Sequence, residues 1–142
     1  MIGRARGLGH LDLPASRQEV AALCRRLLDS LDLTGADFDL RLVGDAEMAT
    51  LNRDFLGLCG PTNVLSFPAA DPDRPDYLGE MAVSLDTVSR EAFLYGQDPA
   101  AHLARLLAHG FLHLAGFDHG PVMDALTDAA VQAVSQPDQR PA

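Results

Sequence analysis

Hydrophobic and polar residues alternate along this chain with two different periods, and the points where the period changes outline its elements. Ser16-Arg17-Gln18-Glu19 has the form of a capping box, and Val20, Leu23, Cys24, Leu27, Leu28 and Leu31 follow at helical spacing. The spacing predicts a first helix. Phe38, Leu40 and Leu42 alternate with Asp39 and Arg41, the period of a half-buried strand ending near Gly44. Asp45 is then placed to cap a second helix carrying Met48, Leu51 and Phe55. Val64-Leu65-Ser66-Phe67 reads as a short strand bounded by Pro61 and Pro68, and the Asp- and Pro-rich run from Ala70 to Asp76 as an exposed loop. Met81-Ala82-Val83-Ser84 reads as another strand.

Asp86 can cap a short helix through Ala92 and Phe93 to Gly96, and Asp98-Pro99 opens the next with Pro at its first position. That helix should run from about Pro99 to Leu114 and stop at Gly116. After Gly120-Pro121 an Ala-rich segment to Ala133 fits a closing helix, and Gln136 to Ala142 reads as a frayed polar tail. Helices and strands mix without a regular βαβ alternation, so the expected class is α+β. With 142 residues in all, residues 1–135 form one expected domain and 136–142 its tail.

Composition narrows the function classes. Hydrophobic residues make up 47% and charged residues 22%, which excludes the low-hydropathy, high-charge composition of disordered chains. Apolar runs are broken by Arg, Asp or His well short of the ~18 to 20 residues a membrane span requires. The opening Met1-Ile2-Gly3-Arg4-Ala5-Arg6-Gly7 carries charge but no apolar stretch after it, so it does not read as a secretory signal and a cytoplasmic address is expected. Cys24 and Cys59 stand apart with no C-x-x-C spacing, as suits a reducing compartment. Net charge is −9, and every basic residue is Arg because the chain has no Lys. Bulk charge therefore disfavours nucleic acid, and any RNA contact needs a local Arg or a metal.

The chemistry concentrates in His109-Gly110-Phe111-Leu112-His113-Leu114-Ala115-Gly116-Phe117-Asp118-His119. On a helix, His109 and His113 share a face with Cβ atoms ~5 to 6 Å apart, so two imidazoles can converge on one ion. Gly116 allows a left-handed cap that turns the chain and brings His119 back over the same face. Three nitrogens with one open position form the ligand set of catalytic Zn2+, one per chain, with water in the vacancy at a pKa lowered towards neutrality. His102 lies two turns before His109, about 10 Å along the axis, and reads as a partly exposed helix residue. His10 carries no spacing signal. Asp118 is either an acceptor that orients a ligating histidine or a turn residue. The spacing H-x-x-x-H-x-x-G-x-x-H also matches the zinc helix of metzincin peptidases, but Gly110 stands where their general-base Glu belongs.

These eleven residues resemble the H-G-x-L-H-L-x-G-[YF]-D-H signature of the YbeY family of bacterial endoribonucleases of RNA maturation. Pro61-Thr62-Asn63-Val64-Leu65-Ser66-Phe67-Pro68 is similar to the family's P-T-[DN]-V-L-S-F-P, Leu78-Gly79-Glu80-Met81 to its L-G-[DE]-[IL], and Leu51-Asn52 to its L-N element. The resemblance covers about residues 38–119. It implies a small mixed sheet packed with helices, a zincin-like metal helix in a cleft, and a zinc-dependent endoribonuclease specific for single strands. The implied setting is ribosomal RNA precursors, 3′-end processing of small-subunit rRNA and ribosome quality control, with the small ribosomal subunit or its proteins as partners.

Within that resemblance, His109, His113 and His119 would hold the metal, Asp118 or Glu80 would accept the proton, and Thr62, Asn63 and Ser66 would bond the RNA backbone. Strand-capping and ladder-edge roles compete for the last three. The chain departs from the family in the loop Phe55-Leu56-Gly57-Leu58-Cys59-Gly60, which is uncharged where an Arg is usual at the position of Leu56. A guanidinium grips a phosphodiester bidentately, and leucine does not. Arg53 is the nearest replacement, or else a solvated surface residue. The rival readings are a ribosome-assembly binding factor with structural zinc, favoured by Leu56, and a zinc peptidase, opposed by Gly110.

Overall fold

The computed structural model describes residues 2–4, 16–57 and 62–135. Among these, the chain runs β1 (Ile2–Arg4), α1 (Arg17–Ser30), β2 (Asp37–Val43), α2 (Asp45–Leu56), β3 (Val64–Pro68), β4 (Tyr77–Ser84), α3 (Leu85–Leu94), α4 (Pro99–Leu114) and α5 (Pro121–Ser135). The strands form one mixed sheet in the order β1-β2-β4-β3, parallel between β1 and β2 and between β2 and β4, antiparallel between β4 and β3. The α+β class read from the sequence is the one observed. The tail read at 136–142, His10, Cys59 and Pro61 lie outside the described residues.

Helix starts show where local sequence decides and where it does not. Ser16 accepts from the Glu19 backbone N–H at 3.0 Å, and Asp98 accepts from that of Ala101 at 3.0 Å, both as their spacing predicts. Asp45 and Asp86 differ from expectation. Gly44 is the N-cap of α2, and Ser84 is that of α3, accepting from the Thr87 N–H at 3.2 Å. The Asp45 carboxylate instead accepts from the hydroxyls of Ser84 at 2.8 Å and Thr87 at 2.6 Å and from the Arg90 guanidinium at 2.9 Å. Asp86 in turn accepts from the Asp45 backbone N–H at 3.0 Å. Each aspartate thus serves the start of the other's helix, because packing sets the N-termini of α2 and α3 side by side.

Strand limits differ for a similar reason. Pro68 ends β3 rather than bounding it, and a strand at the sheet edge tolerates a residue that cannot donate to a ladder. The strand read at Met81–Ser84 begins at Tyr77, since pairing with β2 on one side and β3 on the other holds the polar start of β4 in register. β1 carries no alternation in its three residues that would announce it.

The sheet is buried on both faces. Leu40, Leu42, Met81 and Val83 pack with α1, α3 and α4 on one face, while Val43, Leu65 and Ala82 pack against Met48 of α2 on the other. Phe111 of α4 is fully buried and meets Phe38 edge-to-face at 4.9 Å between centroids. The helix that bears the histidine pair is therefore fixed by the main core.

Candidate metal centre

Helix α4 is buried nearly all round. From His102 to Leu114 every residue is buried except Arg105, His109 and His113, which recur at i, i+4 and i+8 and so form a single stripe. That stripe lines an open cleft of about 910 Å³ bounded by edge strand β3, α4 and α5. Gly110, next to His109, faces the sheet instead: a Cβ there would overlap Met81 Sδ of β4. The position at which a zinc peptidase would carry its general base is, in this chain, a contact between helix and sheet.

The end of α4 brings in the third histidine. Ala115 is the C-cap and Gly116 takes a φ of +97°, a conformation that side chains disfavour. The Phe117 N–H bonds back to the Leu112 carbonyl at 3.0 Å and the Gly116 N–H to that of His113 at 3.0 Å, the two bonds of a Schellman motif. The reversed chain carries His119 over the helix face as its glycine predicts. Ring centroids are 5.0 Å apart for His109 and His113, 4.9 Å for His109 and His119, and 4.4 Å for His113 and His119.

One ligating nitrogen from each ring lies within 4.8 Å of the others, and Nε2 of His113 is 3.1 Å from Nε2 of His119. Bonds of ~2.0 to 2.1 Å at a tetrahedral angle set ligand nitrogens about 3.3 Å apart, so the three imidazoles could hold one metal ion. Electrostatics favours the ligating form. Burial, and then His113 and His119, hold His109 below its ordinary value of 6.5, with Asp124 opposing. Burial and then His119 lower His113 likewise, with Asp118 opposing. Depressed values leave the rings unprotonated near neutral pH, as metal ligation requires.

The other residues singled out by sequence divide sharply. Asn63 and Ser66 line the cleft, but Asn63 donates its amide to Glu91 Oε1 at 3.2 Å and accepts from the Val64 N–H at 2.7 Å. Thr62 is half-buried at the start of that segment. Asp118 is exposed beside His119, near enough for its charge to act on His113. Glu80 does not join the histidines. Its neighbour Met81 points at α4, so strand alternation turns Glu80 to the opposite face, where it lines a separate cavity with Phe55 and Phe67. Arg53 pairs with the adjacent Asp54 at 3.1 Å and does not line the cleft, whereas Leu56 does.

His102 is buried rather than partly exposed. Its Nε2 meets Glu91 Oε1 at 3.1 Å and its Nδ1 has no partner among the described residues. Tyr95 meets its ring edge-to-face at 6.4 Å. A residue on the metal-helix sequence is thus part of the core because α3 packs over that side. Sequence reasoning missed Arg105, Asp124 and Asp128, all of which line the cleft. The signal for Arg105 was present: it stands four residues before His109, on the stripe that His109 and His113 define.

Comparison with known proteins agrees with this geometry. The sequence model of a family described as endoribonuclease YbeY matches residues 10–131. A protein of Oleidesulfovibrio alaskensis named endoribonuclease YbeY is 45% identical over 143 aligned positions, covering 86% of this chain and 85% of that protein. One of the same name from Nitratidesulfovibrio vulgaris is 40% identical, covering 85% of this chain and 86% of its own length. The solution structure of a protein from Thermotoga maritima superposes with a TM-score of 0.67 at 26% identity, covering 99% of this chain and 100% of that one. Taken with the histidine stripe and its glycine turn, a match of that extent establishes that this chain belongs to the YbeY family.

Proposed function

We propose that this protein is a zinc-dependent endoribonuclease that cuts single-stranded ribosomal RNA precursors, with late maturation of the small subunit as its setting. The observation that carries the reading is the convergence of three imidazoles, with no fourth ligand among the described residues, on the wall of an open cleft. The names of its relatives supply the substrate class.

A zinc ion, when bound, supplies Lewis-acid stabilisation of charge at a phosphodiester and acidifies water. The chain's residues do the rest. His109 and His113 are held by the buried remainder of α4, and His119 by the Schellman turn, so the donor set is organised before substrate arrives. Asp118, exposed beside His119, is the proton acceptor of this reading, and the Ser66 side of β3 offers polar contact to the RNA backbone. Asn63 holds the start of β3 to α3 through Glu91 and so shapes the wall of the cleft. No helix among the described residues is long and apolar enough to cross a membrane. We place the activity in the cytoplasm, where the reduced thiol of buried Cys24, raised to about 12 by burial, is chemically inert. With a net charge of −9, recognition draws on a ribosomal partner as well as on RNA charge.

The test offers metal-loaded protein single-stranded RNA, immature small-subunit particles and casein, with His113→Ala as the control. Cleavage of RNA alone, lost in the control, is expected. Cleavage of casein would sink the reading, and tight binding to particles without cleavage would favour an assembly factor instead, the alternative that the uncharged Leu56 at the cleft supports.

A further inference from the structure

An acidic chain that binds RNA needs local positive charge at the phosphate backbone, and beside the metal centre a guanidinium can supply it. Of the described side chains that line it, Arg105 alone carries a permanent positive charge. It belongs to the only stripe of α4 left unburied after His102, four residues ahead of His109 and so about 6 Å from it along the helix axis. Across the cleft wall, Asp128 of α5 holds one edge of the guanidinium through Nη1. Both members are well exposed, at 43% and 62%. A pair so exposed to water contributes little to stability. Its effect is to order a flexible side chain at the cleft while leaving further N–H donors for a ligand. The carboxylates of Asp124 and Asp128 otherwise make this wall repel polyanions.

We propose that Arg105 is the phosphate-binding residue of this cleft, gripping a backbone phosphodiester of single-stranded RNA next to the one at the metal centre, with Asp128 as the carboxylate it exchanges for that phosphate. The inference rests on the ribonuclease reading above. Arg105 is a binding and positioning residue: its place on α4 sets it one helical turn from His109. Guanidinium suits the role because its planar fork meets two phosphate oxygens at once.

Binding of a labelled single-stranded oligoribonucleotide to the zinc-loaded full chain tests this by fluorescence anisotropy across a salt series, with the strand checked for integrity afterwards. Each phosphate neutralised contributes about −0.7 to the slope of log affinity against log salt for a single strand. Arg105→Gln should flatten that slope by about 0.7, so that a roughly tenfold rise in salt costs it about fivefold less affinity than it costs the parent. Zinc content should be unchanged. Asp128→Asn, which keeps the guanidinium and removes its competitor, should bind RNA more tightly. A lower melting temperature with the parental salt slope would show that Arg105 merely ties α4 to α5, and would overturn the proposal. Should Arg105→Gln fail to fold, Asp128→Asn decides, unchanged or weaker binding overturning it. If the parent protein binds no RNA, the ribonuclease reading falls and this inference with it; if the parent binds and only the Arg105 effect is missing, the inference falls alone.

Discussion

His113 Nε2 and His119 Nε2 lie 3.1 Å apart, although one side chain leaves the last turn of α4 and the other stands beyond the glycine that ends it. Two neutral imidazoles can meet at that distance only with one nitrogen donating and the other accepting, whereas a metal ion takes the lone pairs of both. The same turn that ends the helix thereby completes the donor set. Two backbone bonds and one left-handed glycine do the work that a disulfide or a second helix does elsewhere.

Metal content should be about one ion per chain, and His109→Ala, His113→Ala or His119→Ala should each abolish it. At a metal concentration about 100 times Kd, linkage adds about 2.7 kcal/mol to the parent. The melting temperature of each variant should therefore fall by roughly 10 °C relative to metal-loaded parent. His102→Ala should keep the metal and lose stability by truncation of a buried side chain. Elemental analysis with thermal denaturation checks both, and zinc retained in His119→Ala but lost in His102→Ala would refute the ligand set.

Stability of the metal-free protein should fall with acidification. Folding lowers the pKa of His109 and His113 below 6.5, so the unfolded chain binds protons more readily. The contribution of these groups is fully present above 6.5 and is lost as pH falls towards the folded values. Denaturation midpoints in a chelator, measured from neutral pH downwards, should decline through that window, and less so in His109→Gln. A midpoint that rises with acid would contradict the burial of these rings.

Gly110→Ala should destabilise the protein by about 1 to 3 kcal/mol, the usual range for overpacking a filled core. The added methyl would meet Met81, which is itself buried, so the sulfur has little room to retreat. Chemical denaturation measures the loss. Gly110→Glu should fold worse still and should gain no activity on casein, because its carboxylate would face the sheet rather than the cleft.

Asp45→Ala should cost about 1 to 3 kcal/mol, since it strands the buried hydroxyls of Ser84 and Thr87. Burial raises the Asp45 pKa, but hydrogen bonds from Arg90, Thr87 and Ser84 outweigh it and hold the carboxyl below its ordinary 3.8. Its stabilising effect is therefore present above that value and disappears as pH falls through the lowered one. Asp45→Asn should flatten the acid limb of the stability curve, and an unaltered limb would show that the cluster contributes nothing.

Local order in the sequence was enough for the candidate metal centre. The capping box at Ser16, the Asp98-Pro99 start of α4, the H-x-x-x-H pair and the glycine that folds His119 back are each decided within a turn or two of chain, where helix geometry fixes which side chains share a face. What tertiary structure alone decided lies between elements. Asp45 and Asp86 exchange their helix starts because α2 and α3 pack together, and His102 is buried because α3 covers it. Glu80 faces away from the histidines because Met81 of the same strand faces α4. Arg105 reaches the cleft beside Asp128 because α5 returns along α4. Period and capping are short-range properties of the backbone. Which face of an element meets which neighbour is settled only when the whole core closes, and that is where the cleft acquired the guanidinium of Arg105.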